Sequence, residues 1–318
     1  MEKKILVGLP GFREDCKQAV ELLAENGFTI DGNPYGRTFQ FDELKPIIGG
    51  YTAMISELEQ WSEELFALAG KMRIIARNGV GLDNIDLLAA KKAGVCITYA
   101  KGINAVSVAN MAIGLMLASL KKIPYFDRTT KQGLWNNDMG QDLDGKSIGF
   151  LGFGQIAQET AKRLSGFQVN MMAFDKYQPE EVFLGTGVKK VDFDTVLASC
   201  NIISLHLPYN RDTHHIIAKK ELDIMKPDTI LINTARGKLI SSRDLYQTLK
   251  SGGIAAAGID VYEREPIDPQ DSFLTLQNVI CTPHVSGHTV NSCENVGYQL
   301  AKDIVAFFNG EEPELMVQ

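Results

Sequence analysis

A chain of 318 residues with 45% hydrophobic and 22% charged side chains suits two folded domains and is too apolar to be disordered. Its net charge of −7 disfavours nonspecific binding to nucleic acid or anionic lipid, so neither a nucleic-acid nor a membrane partner is expected. Cys16, Cys96, Cys200, Cys281 and Cys293 are scattered and form no CxxC pair, which fits reduced thiols in a cytoplasmic protein and no metal site.

The opening Met1-Glu2-Lys3-Lys4 runs straight into Ile5-Leu6-Val7-Gly8, which reads as a short buried strand over 4–8 and not as an export signal. Further strands are expected at 53–56, 73–77 and 95–98, then at 147–151, 169–174, 202–206, 229–233, 254–259 and 279–281. Most are continuous apolar runs, the mark of strands buried on both faces of a parallel sheet. Helical stretches between them supply the crossovers. A long helix is expected over 104–122. Its apolar part, near 111–120, contains Gly114 and Ser119, ends at Lys121-Lys122 and is too short to span a bilayer. Pro124 and a polar stretch through Asp144-Gly145-Lys146 follow, before a new strand opens at Ser147. A last helix, about 289–309, could return the chain to the first domain.

The strand ending Phe150-Leu151 leads into Gly152-Phe153-Gly154-Gln155-Ile156-Ala157. This is a Gly-x-Gly-x-x-Ala loop between a strand and an amphipathic helix, the setting of a dinucleotide site. Gly152 permits the tight turn, and Gly154 lets free helix N-terminal amides approach a pyrophosphate. The next strand ends at Asp175. A carboxylate there accepts from ribose hydroxyls and repels a 2′-phosphate, so NAD is expected over NADP.

Arg236, Glu265 and His284 follow the ends of three successive expected strands, which open on one crevice in a doubly wound sheet. Reduction of a 2-keto acid needs a cation to hold the carboxylate and polarise the keto oxygen, and Arg236 offers a bidentate fork. It also needs a proton donor near neutral pH, which suits His284. A neighbouring Glu265 would orient the imidazole and favour its charged form.

With these motifs in place, the sequence resembles the D-isomer-specific 2-hydroxyacid dehydrogenase family. The likeness rests on Arg77-Asn78-Gly79-Val80-Gly81-Leu82-Asp83-Asn84-Ile85-Asp86, the Gly152–Ala157 loop, His206-Leu207-Pro208 and Asn233-Thr234-Ala235-Arg236-Gly237. It continues through Asp260-Val261-Tyr262-Glu263-Arg264-Glu265-Pro266 and Thr282-Pro283-His284. The resemblance implies an α/β fold of two doubly wound parallel-sheet domains. One is a Rossmann NAD-binding domain over 101–287, the other a flavodoxin-like substrate domain over 1–100 plus 288–318. It implies Arg236, Glu265 and His284 as the catalytic trio. For NAD it implies Gly152, Gly154, Gln155, Ile156 and Asp175, with His206, Leu207, Pro208 and Thr213 on the adenosine side. Thr234, Ala235, Arg236, His284 and Gly287 would pass beside the cofactor, and Asp260 would contact the nicotinamide carboxamide. Asn78 and Gly79 would offer backbone or side-chain donors to the substrate carboxylate, with Val80, Lys101 and Arg236 as further substrate contacts. Lys101 departs from the family, which commonly has proline there.

Within the family the appearance is closest to short D-3-phosphoglycerate dehydrogenases without a regulatory domain, with Lys101 and Arg13 as candidate phosphate cations. The alternatives are reduction of glyoxylate, hydroxypyruvate or another 2-keto acid, and, outside catalysis, an NAD-sensing corepressor-like scaffold. A homodimer is expected, from the resemblance and from the apolar surface offered by helix 104–120 and by Pro124, Tyr125, Phe126 and Trp135.

Overall fold

The apolar runs form parallel strands throughout. The structure, a computed structural model, describes residues 3–317, so the reading of Met1-Glu2 falls outside the described residues. The chain divides into two units, one comprising the chain up to Asn104 and again from Gly287 onward, the other Ala105–Ser286.

In the first unit, β1 (Lys4–Val7), β2 (Thr29–Asp31), β3 (Ala53–Ser56), β4 (Ile74–Arg77) and β5 (Cys96–Tyr99) form one all-parallel sheet in the order β2-β1-β3-β4-β5. This is the flavodoxin-like order. Alternate residues feed opposite cores, because successive side chains leave a strand on opposite faces. Val7, Ile55 and Ile74 pack with Leu300 and Ile304 of helix Val290–Phe308. Leu6, Met54 and Ile75 pack with Trp61 and Leu65. Helix Leu87–Ala93 starts where Asp86 accepts a hydrogen bond from the Ala89 amide at 2.9 Å, a side-chain N-cap.

In the second unit, β6 (Ser147–Leu151), β7 (Asn170–Phe174), β8 (Val188–Lys190), β9 (Ile202–Leu205), β10 (Ile230–Asn233), β11 (Ala256–Ile259) and β12 (Val279–Cys281) form an all-parallel sheet. Its order is β12-β11-β10-β9-β6-β7-β8. The order reverses between β6 and β9, and ligands of such sheets bind at that switch point, beyond the carboxyl ends of the strands. Ile148, Phe150 and Ile232 face one core together with Leu115, whereas Leu151, Ile203 and Leu231 face the other.

Two short strands, β2 and β8, were not anticipated. Each has three residues at a sheet edge, too short to carry a periodic signal. The polar stretch after residue 122 also holds an unanticipated helix, Ile123–Lys131, with Pro124 in its first turn, where proline's missing N–H costs nothing. Helix Ala105–Leu120 packs one face into its own unit, while Val106 stays 45% exposed. Ala112, Leu115, Met116 and Leu120 are buried in its own unit, and a side chain at Gly258 would stand 2.9 Å from Leu115 Cβ. The large exposed apolar side chains lie mostly beyond it: Ile123, Leu134, Trp135 and Met139, the last two about nine-tenths exposed. No single helix among the described residues is long and apolar enough to cross a membrane.

Candidate active site

The loops after β10, β11 and β12 meet at the carboxyl edge of the second unit's sheet, and one contact fixes their spacing. Gly237 lies so close to the backbone of Tyr262 that any Cβ there would overlap the Tyr262 carbonyl group. Arg236 and Glu265 flank this crossing. Asn233 organises the first loop, accepting from the Ala235 amide at 3.0 Å and donating to the Arg236 carbonyl at 2.9 Å. Glu265 Oε1 accepts from the Tyr262 amide at 2.9 Å, which leaves Oε2 to meet His284 Nδ1 at 2.7 Å. His284 and Glu265 side chains are about 30% exposed. His284 Nε2 has no hydrogen-bond partner among the described residues. An imidazole held at Nδ1 by a carboxylate and open at Nε2 is oriented to pass a proton.

His284 has φ 55°, left-handed backbone that a non-glycine residue adopts at a cost of about 1 kcal/mol. Asp260 holds it there. This carboxylate is fully buried, and each oxygen accepts two hydrogen bonds from the loop around the histidine. Oδ1 takes the Thr282 hydroxyl and the Val285 amide; Oδ2 takes the Ser286 amide and hydroxyl. The carboxamide contact expected of Asp260 finds all its acceptor positions occupied. In this structure its work is to set the His284 loop.

At the switch point, Gly152 has φ 92°, and a Cβ there would come within 2.7 Å of the His206 carbonyl oxygen. Glycine is required on both counts. Asp175 pins this loop from the end of β7. It accepts from the amides of Phe153 at 2.8 Å, Tyr177 at 2.8 Å and Gln178 at 2.9 Å. Three of its four lone-pair positions are thereby used, leaving one for the expected ribose contact. Burial pushes the His206 imidazole down to about 3, so the ring is neutral, and it meets Ser204 Oγ at 2.9 Å. Leu207 and Pro208 continue from it, and Thr213 folds the loop back by donating to the Pro208 carbonyl at 2.8 Å.

In the first unit the geometry narrows the substrate reading. The amide of Asn78 donates to Ser56 at 2.7 Å and that of Gly79 to Arg77 at 3.0 Å. Those backbone donors are committed, so the Asn78 side chain and the Val80 amide are what the loop has to offer an anion. Beneath it, the buried Arg77 guanidinium donates to the Asn78 carbonyl and occupies the space a Gly79 Cβ would need. Lys101 is exposed, and its amine has no partner among the described residues. Arg13 is tied to the Ile30 carbonyl. Gly287 belongs to this unit, packed against Asn104.

The family described as "D-isomer specific 2-hydroxyacid dehydrogenase, NAD binding domain" matches residues 113–286. A D-3-phosphoglycerate dehydrogenase of Archaeoglobus fulgidus is 37% identical over 310 residues, covering 96% of this chain but 58% of its own length. A hydroxypyruvate reductase of Thermotoga maritima is 41% identical over 270 residues, 83% of this chain and 87% of the relative. The crystal structure of a glyoxylate reductase from Paecilomyes thermophila, 29% identical, superposes with a TM-score of 0.85 over 99% of this chain and 98% of that one. The chain belongs to the D-isomer-specific 2-hydroxyacid dehydrogenase family. It spans little more than half the length of the Archaeoglobus relative.

As a member of this family the chain is an NAD-binding oxidoreductase, and the site's own features fit that dinucleotide. No side chain caps helix Gln155–Leu164, so its first amides are free to receive a pyrophosphate. A Cβ built on Gly154 meets nothing within 4 Å, which leaves the approach to those amides open. The Thr234 hydroxyl is buried without a partner, an orphan that a polar cofactor group could satisfy. Thr282, Ser286 and Gly237 were not assigned roles from the sequence. A signal existed for the first two: a hydroxyl residue stands two positions to either side of His284. Gly237 had none beyond its neighbour Arg236.

Proposed function

We propose that the chain interconverts a small, unphosphorylated 2-keto acid and its D-2-hydroxy acid, with His284 as acid–base residue, Glu265 as its positioning partner and Arg236 as substrate anchor. The observation carrying this reading is the His284 Nδ1–Glu265 Oε2 contact of 2.7 Å with Nε2 left open, on the sheet edge that also holds Arg236. When bound, the nicotinamide supplies or accepts the hydride at the substrate's second carbon. In reduction, His284 Nε2–H gives its proton to the keto oxygen as that carbon is reduced, while Glu265 offsets the imidazolium charge. Arg236 grips the carboxylate and polarises the keto group. In oxidation, Nε2 takes the hydroxyl proton back.

The relatives divide between phosphorylated and unphosphorylated substrates. Charge favours the second. A phosphate dianion calls for several cations. Of the two anticipated, Arg13 spends one donor on the Ile30 carbonyl, and the Lys101 amine has no partner among the described residues. This reading also supports a homodimer through the exposed Ile123, Leu134, Trp135 and Met139. Five free cysteines fit a reducing, cytoplasmic setting.

The test follows NADH oxidation with glyoxylate, hydroxypyruvate, pyruvate and 3-phosphohydroxypyruvate, in wild type and His284→Ala. An unphosphorylated acid should lead in kcat/KM, and His284→Ala should lose roughly a hundredfold in turnover while still binding NADH. Preference for the phosphorylated acid removes the substrate proposal, near-normal turnover of His284→Ala removes the mechanism, and no turnover of any 2-keto acid favours the scaffold reading.

A further inference from the structure

A cavity of about 360 Å³ lies behind the loops that carry Arg236 and Glu265, and neither they nor His284 line it. Ile240, Leu245, Ile259, Val261 and Phe273 form a buried apolar floor, all but Val261 continuous with the core on the side of helix Ser242–Ser251. The exposed lining residues include Arg264, Asp268 and Asp271. The volume is that of a small-molecule site, and an apolar interior with a few polar groups is the usual make-up of one.

The polar groups differ in what they have left to give. Glu263 is engaged at both oxygens: Oε1 accepts from the Ser242 amide at 2.7 Å and Oε2 meets His215 Nε2 at 3.2 Å. Asp268 and Asp271 each use one oxygen on a nearby amide, of Gln270 and Phe273 at 2.8 Å, and keep the other. Arg264 has no ion pair or hydrogen bond among the described residues. The mouth therefore presents an uncommitted cation and two half-committed carboxylates above an apolar floor. A simple anion would meet the carboxylates, and a simple cation would meet Arg264. A zwitterion with an apolar tail satisfies both.

We propose that this cavity is a second ligand site, for an apolar α-amino acid, whose carboxylate pairs with Arg264, whose ammonium pairs with Asp268 and Asp271, and whose side chain fills the floor. The same walls hold Gly237 and Arg264, next in sequence to Arg236 and Glu265, so an occupant fixes the segments on which the reaction depends.

The probe is L-phenylalanine, measured by calorimetry and thermal unfolding of the full chain with NADH. Phenylalanine in large excess should raise the midpoint by about 2–4 °C. 3-Phenylpropanoate lacks the ammonium, 2-phenylethylamine the carboxylate and L-alanine the side chain; each should bind at least about tenfold more weakly. Arg264→Gln should weaken phenylalanine about tenfold, and Ile267→Trp, which fills the cavity from a half-buried position, should abolish binding. His284→Ala should bind it unchanged, separating this site from the catalytic one. No binding at about 10 mM, weaker than ordinary ligand affinities, overturns the proposal. So does binding that survives both Arg264→Gln and Ile267→Trp, is lost in His284→Ala, or is matched by either single-charge analogue.

Discussion

In the nucleotide unit a buried carboxylate, Asp260, lies beneath the His284 loop; in the other unit a buried guanidinium, Arg77, lies beneath Asn78 and Gly79. Both are more than nine-tenths buried, both stand at or just past the end of a parallel strand, and both hold a loop through its backbone. Their signs are opposite, and so is what each gathers. Asp260 can only accept, so it draws in amides and hydroxyls and leaves negative charge under an imidazole that works best when it can be protonated. Arg77 can only donate, and one of its bonds draws in the Asn78 carbonyl of a loop proposed to receive an anion. A single buried charge thus fixes the loop's shape and also biases which ligand charge it tolerates.

The comparison is broken most sharply at Asp260. Asp260→Asn turns one acceptor into a donor facing groups that themselves donate, and should cost roughly 3 kcal/mol of stability. Urea unfolding checks this. A loss below about 1 kcal/mol, within the range of unremarkable substitutions, would show that the loop holds without the charge. At Arg77 the expected effect is smaller and falls on binding. Arg77→Met should raise KM for the keto acid about tenfold with a lesser change in kcat, the pattern of lost ground-state attraction. A drop in kcat alone would place Arg77 elsewhere in the mechanism.

The smallest effect sharpens the comparison by adding a neutral member to the nucleotide edge. His206 is held near 3 in the folded chain against an ordinary 6.5, so the unfolded chain binds the extra proton first. Its contribution is present above about pH 6.5 and is lost as pH falls towards 3. One pH unit below the ordinary value, the folded state should be weaker by about 1 kcal/mol, and His206→Gln should flatten that slope. Parallel slopes for the two proteins between those limits would place the acid sensitivity elsewhere.

Much of this was legible because parallel strands buried on both faces announce themselves as apolar runs, and because each loop that follows begins at a strand end. The ten anticipated strands all formed, within two residues at either end. The acid–histidine contact was legible from two strand ends and a chemical need. What the sequence did not carry was competition for hydrogen bonds. Asn78 and Gly79 read as donors, but their amides are spent on Ser56 and Arg77. Asp260 reads as a ligand contact, but the Thr282–Ser286 loop uses all its acceptors. Apart from the Gly79 amide, which turns back on Arg77, such prior engagements depend on residues more than twenty positions away. The apolar helix Ala105–Leu120 was half legible for a related reason: how much of an apolar face meets its own sheet is decided by packing, here against Gly258.

The crossing at Gly237 has a consequence for how such an enzyme diversifies. No side chain can be introduced there without separating the Arg236 and Glu265 loops, so that position is closed to variation and the chemistry is inherited whole. Change has to enter where the chain is still permissive. Val80 and Lys101 are exposed, Val80 at 36%. A library that randomises 80 and 101 should yield altered acid preference with the reaction intact, whereas one that randomises 237 should yield almost nothing but glycine.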